Sequence, residues 1–148
     1  MSSRAITITL RGEPRGKSRP RAFLKRGAKG LKVGLYTPDD TRNYEAAIRV
    51  VAQAEMKLSP ALDEPLEMQL VAVFTPPRSW SEKKQQAALR GEVAYDKRPD
   101  LDNIVKAWAD GMNGVVYRDD ALIVRKVAEK RYGPQALVAV TVRPLVRA

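Results

Sequence analysis

The sequence predicts a single α+β or mixed α/β domain over residues 1–148, with a mixed β-sheet packed by about three helices. Three observations carry that expectation. The 148 residues are 44% hydrophobic and 30% charged, the balance of a globular chain of one-domain size. Stretches that alternate every second residue are interspersed with stretches of helical spacing. No internal repeat and no low-complexity tract interrupts them.

The elements follow in order. Ala5–Leu10 alternates apolar residues with threonine, placing Ile6, Ile8 and Leu10 on one face of a strand. Residues 14–34 carry Arg15, Lys17, Arg19, Arg21, Lys25, Arg26, Lys29 and Lys32 with no acid. Glycines and prolines punctuate this stretch, which reads as a basic loop or a hairpin with strands near Arg21–Lys25 and Lys32–Tyr36. A helix starts at Pro38-Asp39-Asp40-Thr41, runs through Tyr44, Ala47, Ile48, Val51 and Leu58 at helical spacing, and ends at Ser59-Pro60. Leu66–Phe74 begins in alternation and becomes wholly apolar, so its end is expected to be buried on both faces. Pro76–Arg90 forms a polar helix opening at Ser79 or Ser81, exposed or facing a partner, and residues 91–98 connect it onward. A third helix buries Leu101, Ile104, Val105, Trp108 and Met112 on one face and stops at Asn113-Gly114. Leu122–Arg131 and Ala136–Val142 then fit two strands, with Gly133-Pro134 as a hairpin turn.

The charge balance points to a partner. Lys and Arg number 27 against 17 Asp and Glu, a net charge of +10, which suits a polyanion and most readily nucleic acid. Cysteine and histidine are absent. That excludes thiol catalysis, disulfides, Cys/His zinc sites and histidine bases. A metal would need oxygen ligands, as Mg²⁺, Mn²⁺ and Ca²⁺ do. The N-terminal MSSRAITITL lacks the pattern of a secretory signal, and no stretch approaches the ~20 apolar residues of a membrane span. A cytoplasmic protein without membrane contact is expected.

Against this cationic background, Arg98-Pro99-Asp100-Leu101-Asp102-Asn103-Ile104-Val105-Lys106 places two carboxylates at a helix start, and Asp119-Asp120 follows the return from that helix. Taken singly, each has a bland explanation. An Asp at a helix start is commonly a cap contributing about 1 kcal/mol, and Asp-Asp before a strand is commonly a solvated turn. Together they are harder to dismiss, because one helix start needs one cap. With Asp100 in extended chain and Asp102 at the cap, the two could converge with Asp120. Like charges ~4 Å apart repel by about 4 kcal/mol at an effective dielectric of 20, so such a cluster calls for a divalent cation. Lys106, one turn after Asp102, is either an i,i+4 ion-pair partner or a cation beside a reacting phosphate. The set suits metal-dependent phosphodiester hydrolysis. A nucleic-acid-binding domain without catalysis remains the alternative at this point.

The run from Arg98 to Lys106, followed by Asp110-Gly111-Met112-Asn113-Gly114-Val115-Val116-Tyr117-Arg118-Asp119-Asp120, resembles the RusA family of Holliday-junction resolvases. Its core pattern is D-x-D-N-x-x-K, a helix ending near N-G, then D-D. Gly16-Lys17-Ser18-Arg19-Pro20-Arg21, Tyr36-Thr37-Pro38 and Glu129-Lys130-Arg131-Tyr132-Gly133 are also similar to family members. The resemblance implies a homodimeric, Mg²⁺-dependent endonuclease, with Mn²⁺ as a substitute, that nicks four-way DNA junctions symmetrically in recombination and repair. It implies Asp100, Asp102 and Asp120 as metal-holding catalytic aspartates and Lys106 as the catalytic lysine. Lys17, Arg19, Arg21 and Arg98 are the expected DNA contacts. Pro99 stands where some members carry Arg, and Leu122 where Gln is common. Branched-DNA binding without cleavage, and cleavage of flaps or forks, are the competing expectations.

Overall fold

The structure is a computed structural model that describes residues 4–17, 21–27, 30–36 and 39–145. Six strands and three helices follow one another along the chain: β1 (Ile6–Arg11), β2 (Arg21–Gly27), β3 (Gly30–Tyr36), α1 (Asp39–Met56), β4 (Leu66–Phe74), α2 (Glu82–Leu89), α3 (Leu101–Met112), β5 (Ile123–Tyr132) and β6 (Leu137–Pro144). A four-stranded mixed sheet in the order β1-β6-β4-β5 carries the core, and β2 and β3 pair as a separate antiparallel ribbon within the basic stretch. This is the α+β architecture expected from the alternating periods.

The centre of the sheet follows from one strand. On β4, Leu66, Met68, Leu70, Ala72 and Phe74 are all buried. A strand this apolar must satisfy its backbone on both edges inside the protein. It does so by pairing antiparallel with β6 and parallel with β5. The expected β5–β6 hairpin is therefore wrong, because β4 lies between the two strands. Gly133-Pro134 instead carries the chain across the end of β4, with the Gly133 N–H donating to the Phe74 carbonyl at 2.8 Å. A parallel β4–β5 pair needs a crossover of a dozen or more residues. Here the crossover contains α2 and α3, so it delivers the D-x-D-N-x-x-K segment alongside β5.

Helices α1 and α3 pack against each other through Ile48 and Trp108, both inaccessible to solvent. Trp108 Nε1 donates to the Tyr44 hydroxyl at 3.3 Å. Gly111 makes the close approach possible: a Cβ there would stand 2.8 Å from Cγ2 of Ile48. Leu58, expected on the apolar face of α1, is fully exposed. The helix ends at Met56, and Lys57 turns the chain away with a φ of 53°. Helix α2 starts at the Ser81 cap, whose hydroxyl accepts from the Lys84 N–H. Only Ala88 of α2 is buried, which matches its thin apolar stripe.

Candidate active site

Helix α3 divides its residues by face. Ile104, Val105, Ala107, Trp108, Gly111 and Met112 are buried. Asp102, Lys106 and Asp110 recur every fourth residue, so they stack along one side. Lys106 Nζ lies 3.9 Å from the Asp110 carboxylate. Asp100, not Asp102, occupies the cap position, which corrects the expected arrangement. The Asp100 carbonyl accepts from the Asn103 and Ile104 N–H groups, both at 3.1 Å, so the helix begins at Leu101. The Asp100 side chain makes no capping hydrogen bond, although its backbone is extended at the helix entry. Capping therefore does not explain its carboxylate.

The return from α3 is held tightly. Gly114 turns with a φ of 81°. Tyr117 is fully buried, and its hydroxyl donates to the Ala109 carbonyl at 2.6 Å. Leu62 brackets the segment, donating to the Val116 carbonyl and accepting from the Arg118 N–H. The Asp119 carboxylate then accepts from the Ala121 N–H at 2.9 Å and opens a short 3₁₀ turn over Asp120–Leu122. Asp119 thus has a structural task, whereas Asp120 faces the groove.

A groove of about 470 Å³ between α3 and β5 is lined by Asp102, Lys106 and Asp120, with Arg125 and Lys126 along its other side. The carboxyl of Asp120 is pushed above its ordinary pKa. The hydrogen bond it shares with Asp119 is the largest cause, followed by desolvation and the charges of Asp119 and Asp110, with Lys106 partly opposing. Asp119 is held below its ordinary value by the Ala121 N–H it accepts. Burial and the charges of Asp120 and Asp110 push the Tyr117 phenol upward. Negative charge is thus concentrated at this end of the groove. Asp102 and Asp120 share the groove, while Asp100 does not line it. Among the described residues no three carboxylates are gathered at metal-holding distance. The donors present are the hard carboxylate oxygens of Asp102 and Asp120, a chemistry that fits Mg²⁺ or Mn²⁺.

The basic N-terminal segment reaches this site. The Lys17 N–H donates to the Asn103 carbonyl at 2.9 Å. A Cβ on Gly16 would stand 3.0 Å from that of Asn103 and 3.1 Å from that of Pro99, so glycine lets the two motifs touch. Lys17, expected to face DNA, pairs instead with Glu45 at 3.0 Å and with Asp110. Desolvation would lower the pKa of its ammonium, but hydrogen bonds to Asp110 and Glu45 outweigh this and raise it. Asp110 is a site residue that sequence reasoning left without a role. Its spacing, four residues after Lys106 and eight after Asp102, was the available signal.

Arg98 is exposed, and its carbonyl accepts from the Tyr95 hydroxyl at 2.7 Å. The Arg98-Pro99 peptide bond is cis. Arg21 opens β2, and Arg19 lies outside the described residues.

The chain matches the family model described as endodeoxyribonuclease RusA over residues 11–143. It belongs to the RusA endodeoxyribonuclease family. It is also 30% identical over 141 residues to YqaN of Bacillus subtilis (strain 168), described as uncharacterized, covering 93% of this chain and 95% of that protein. The RusA match runs from β1 into β6 and so includes the Lys17 contact and both walls of the groove. Among the described residues of this RusA-family chain, no helix is long and apolar enough to cross a membrane.

Proposed function

We propose that this protein is a homodimeric, Mg²⁺-dependent endodeoxyribonuclease that acts in the cytoplasm and resolves Holliday junctions by paired symmetric nicks, in DNA recombination and repair. The observation that carries the reading is the sharing of one groove by Asp102, Lys106 and Asp120 in a member of an endodeoxyribonuclease family. The net charge of +10 supports a DNA substrate.

In this reading Asp102 and Asp120 hold the metal from the two sides of the groove, and Asp100 joins them from the entry of α3. Held by these residues, Mg²⁺, or Mn²⁺ in its place, would supply Lewis-acid polarisation of a phosphate oxygen and a lowered pKa for the attacking water. Lys106 lies on the helical face of Asp102 and stabilises negative charge that develops on the phosphate. Asp110 limits the freedom of Lys106 through their 3.9 Å contact, and Lys17 neutralises part of Asp110 from behind. Arg19, Arg21 and Arg98 contact DNA phosphates, and Lys17 joins the set through the basic segment it begins. A two-fold dimer presents two equal sites, as two matched cuts in a four-way junction require.

The test is cleavage of synthetic four-way junctions with Mg²⁺, beside flap and fork substrates, using wild type and Asp102→Asn. The expected result is nicking at symmetric positions by wild type, with loss of nicking but retained binding in the variant. Undiminished cleavage by Asp102→Asn would overturn the metal assignment. Preferred cutting of flaps or forks would overturn the substrate. Junction binding indifferent to Mg²⁺, with no cuts at any metal concentration, would leave a binding protein. Sedimentation of the free protein as a monomer at assay concentration would remove the dimer.

A further inference from the structure

Away from the groove, the connector before α3 meets α2 at Trp80. Lys84 Nζ stands 3.9 Å from the centroid of the Trp80 ring, and Lys97 Nζ stands 5.1 Å from it. Among the described residues neither ammonium has a carboxylate partner. Some other surface cations are matched: Arg90 with Glu92, Arg118 with Asp63, and Arg131 with Glu129. Two like charges brought to one indole, neither of them in an ion pair, favour an anion nearby.

We propose that Lys84 and Lys97, held over Trp80, bind a backbone phosphate of the DNA within a few nucleotides of the cleaved bond. The proposal rests on the nuclease reading above for its substrate.

The ledge is built on a firm base. Trp80 meets Tyr132 edge-on, with centroids 5.3 Å apart, and Tyr132 meets Tyr95 likewise at 5.2 Å. Tyr95 in turn stacks on Phe74 at 3.8 Å and 9°. Phe74 and Tyr132 are buried, so this chain of rings runs from the core of the sheet to a half-buried indole. An exposed cation–π contact contributes only about 0.5–1 kcal/mol. Its value here is placement, since a lysine already confined loses less freedom when a phosphate arrives.

The position relative to the groove is fixed by the chain itself. Lys97 precedes Asp102, the first groove-lining residue of α3, by five residues, which span at most about 17–18 Å. That is roughly five nucleotides of strand rise at ~3.4 Å each. Lys130 on β5 donates to the Lys97 and Pro99 carbonyls at 2.7 and 3.1 Å, tying the connector to the sheet. A strand with one phosphate in the groove is therefore long enough to place another on the ledge about five nucleotides away.

The experiment measures equilibrium binding of a labelled four-way junction across a salt series, without divalent metal so that nothing is cut. Wild type is compared with the Lys84→Ala, Lys97→Ala double variant and with the double Arg variant. Losing one phosphate contact makes the slope of log K against log salt shallower by about 0.9. The Ala variant is expected to show that change and about tenfold weaker binding at low salt. The Arg variant, which keeps both charges, should restore the slope, and circular dichroism checks that all three proteins are folded. Equal slope and affinity in the Ala variant and wild type would overturn the proposal. Cleavage by wild type, run separately with Mg²⁺, keeps the two readings apart. Cutting with an unchanged slope sinks the ledge alone, and a shallower slope without cutting sinks the nuclease alone. A wild type that binds no junction sinks both.

Discussion

The groove gathers carboxylates beside cations whereas the Trp80 ledge gathers cations alone, and the two are held in different ways. In the groove, short carboxylates sit on stiff supports: Asp102 on α3, and Asp120 on a 3₁₀ turn pinned by Asp119. The hydrogen bond to Asp119, then desolvation and the charges of Asp119 and Asp110, raise the pKa of Asp120 on that support. On the ledge, ammonium groups sit on long flexible stems and are gathered by an aromatic face. Metal-assisted chemistry demands positioning within a fraction of an ångström, whereas a phosphate contact tolerates a moving partner. The stiffness of each support thus separates the region suited to reaction from the region suited to grip.

The sharpest way to break this contrast is to remove a lysine from each. Lys106→Met is expected to lower the cleavage rate at saturating junction by about 10²–10³-fold, the scale of losing one stabiliser of developing charge. Its salt slope should change by less than that of the Lys84→Ala, Lys97→Ala variant. Stopped-flow or quenched cleavage measured beside the binding series checks both. If Lys106→Met lost affinity and kept its rate, groove and ledge would be doing the same work. Next in size is Lys17→Met, which leaves Asp110 and Glu45 without their shared cation. Leaving partly buried charged groups unmatched costs about 1–3 kcal/mol, and each kcal/mol lowers Tm by about 2–4 °C in a domain of this size. The raised pKa of Lys17 sets the pH window. Its stabilisation is present below its ordinary value of 10.5 and fades as pH rises through the higher folded-state value. Thermal melts of wild type and variant should therefore converge in strong alkali.

The two regions also differ in how far they could be read from the chain. The acidic groove was largely legible because α3 and its return are local: Asp102, Lys106 and Asp120 fall within nineteen consecutive residues. Misreading which Asp stood at the cap followed from placing the helix boundary two residues late, and Asp110 was missed although it continues the same four-residue spacing. The ledge was illegible. Trp80 and Lys84 come from one segment, Lys97 from another, and the ring stack beneath them from β4, the connector and β5. Nothing in the local sequence announces that meeting. The order of the sheet failed for a related reason. Gly133-Pro134 gives a strong turn signal, but which strand lies beyond the turn is decided by the need of apolar β4 for partners on both edges.

A smaller effect probes the support beneath the ledge. Tyr95→Phe keeps the ring on Phe74 but removes the hydroxyl that donates to the Arg98 carbonyl. The expected loss is about 0.5–1.5 kcal/mol in denaturant unfolding, the net worth of one hydrogen bond. A loss several times larger would mean that the connector depends on this bond rather than on the ring stack and Lys130.

The smallest expected effect lies back in the groove, and its sign is the informative part. The hydrogen bond with Asp119, then desolvation and the charges of Asp119 and Asp110, raise the pKa of Asp120, so its ionised form is disfavoured in the folded protein. Asp120→Asn removes that disfavoured charge and keeps an amide that can donate to Asp119. After allowance for solvent screening the gain is a fraction of a kcal/mol, about 1–2 °C in Tm at neutral pH. The sign follows from linkage. A raised folded-state pKa stabilises the protonated form, so the wild type recovers as pH falls through that raised value toward the ordinary 3.8, and the two melts should meet there. The same substitution should abolish cleavage. A variant that melts higher while losing activity is the signature of a carboxylate kept against the interest of stability. If Asp120→Asn instead melted lower at neutral pH, the negative charge in the groove would already be balanced by the protein, and the case for a bound cation would lose its electrostatic ground.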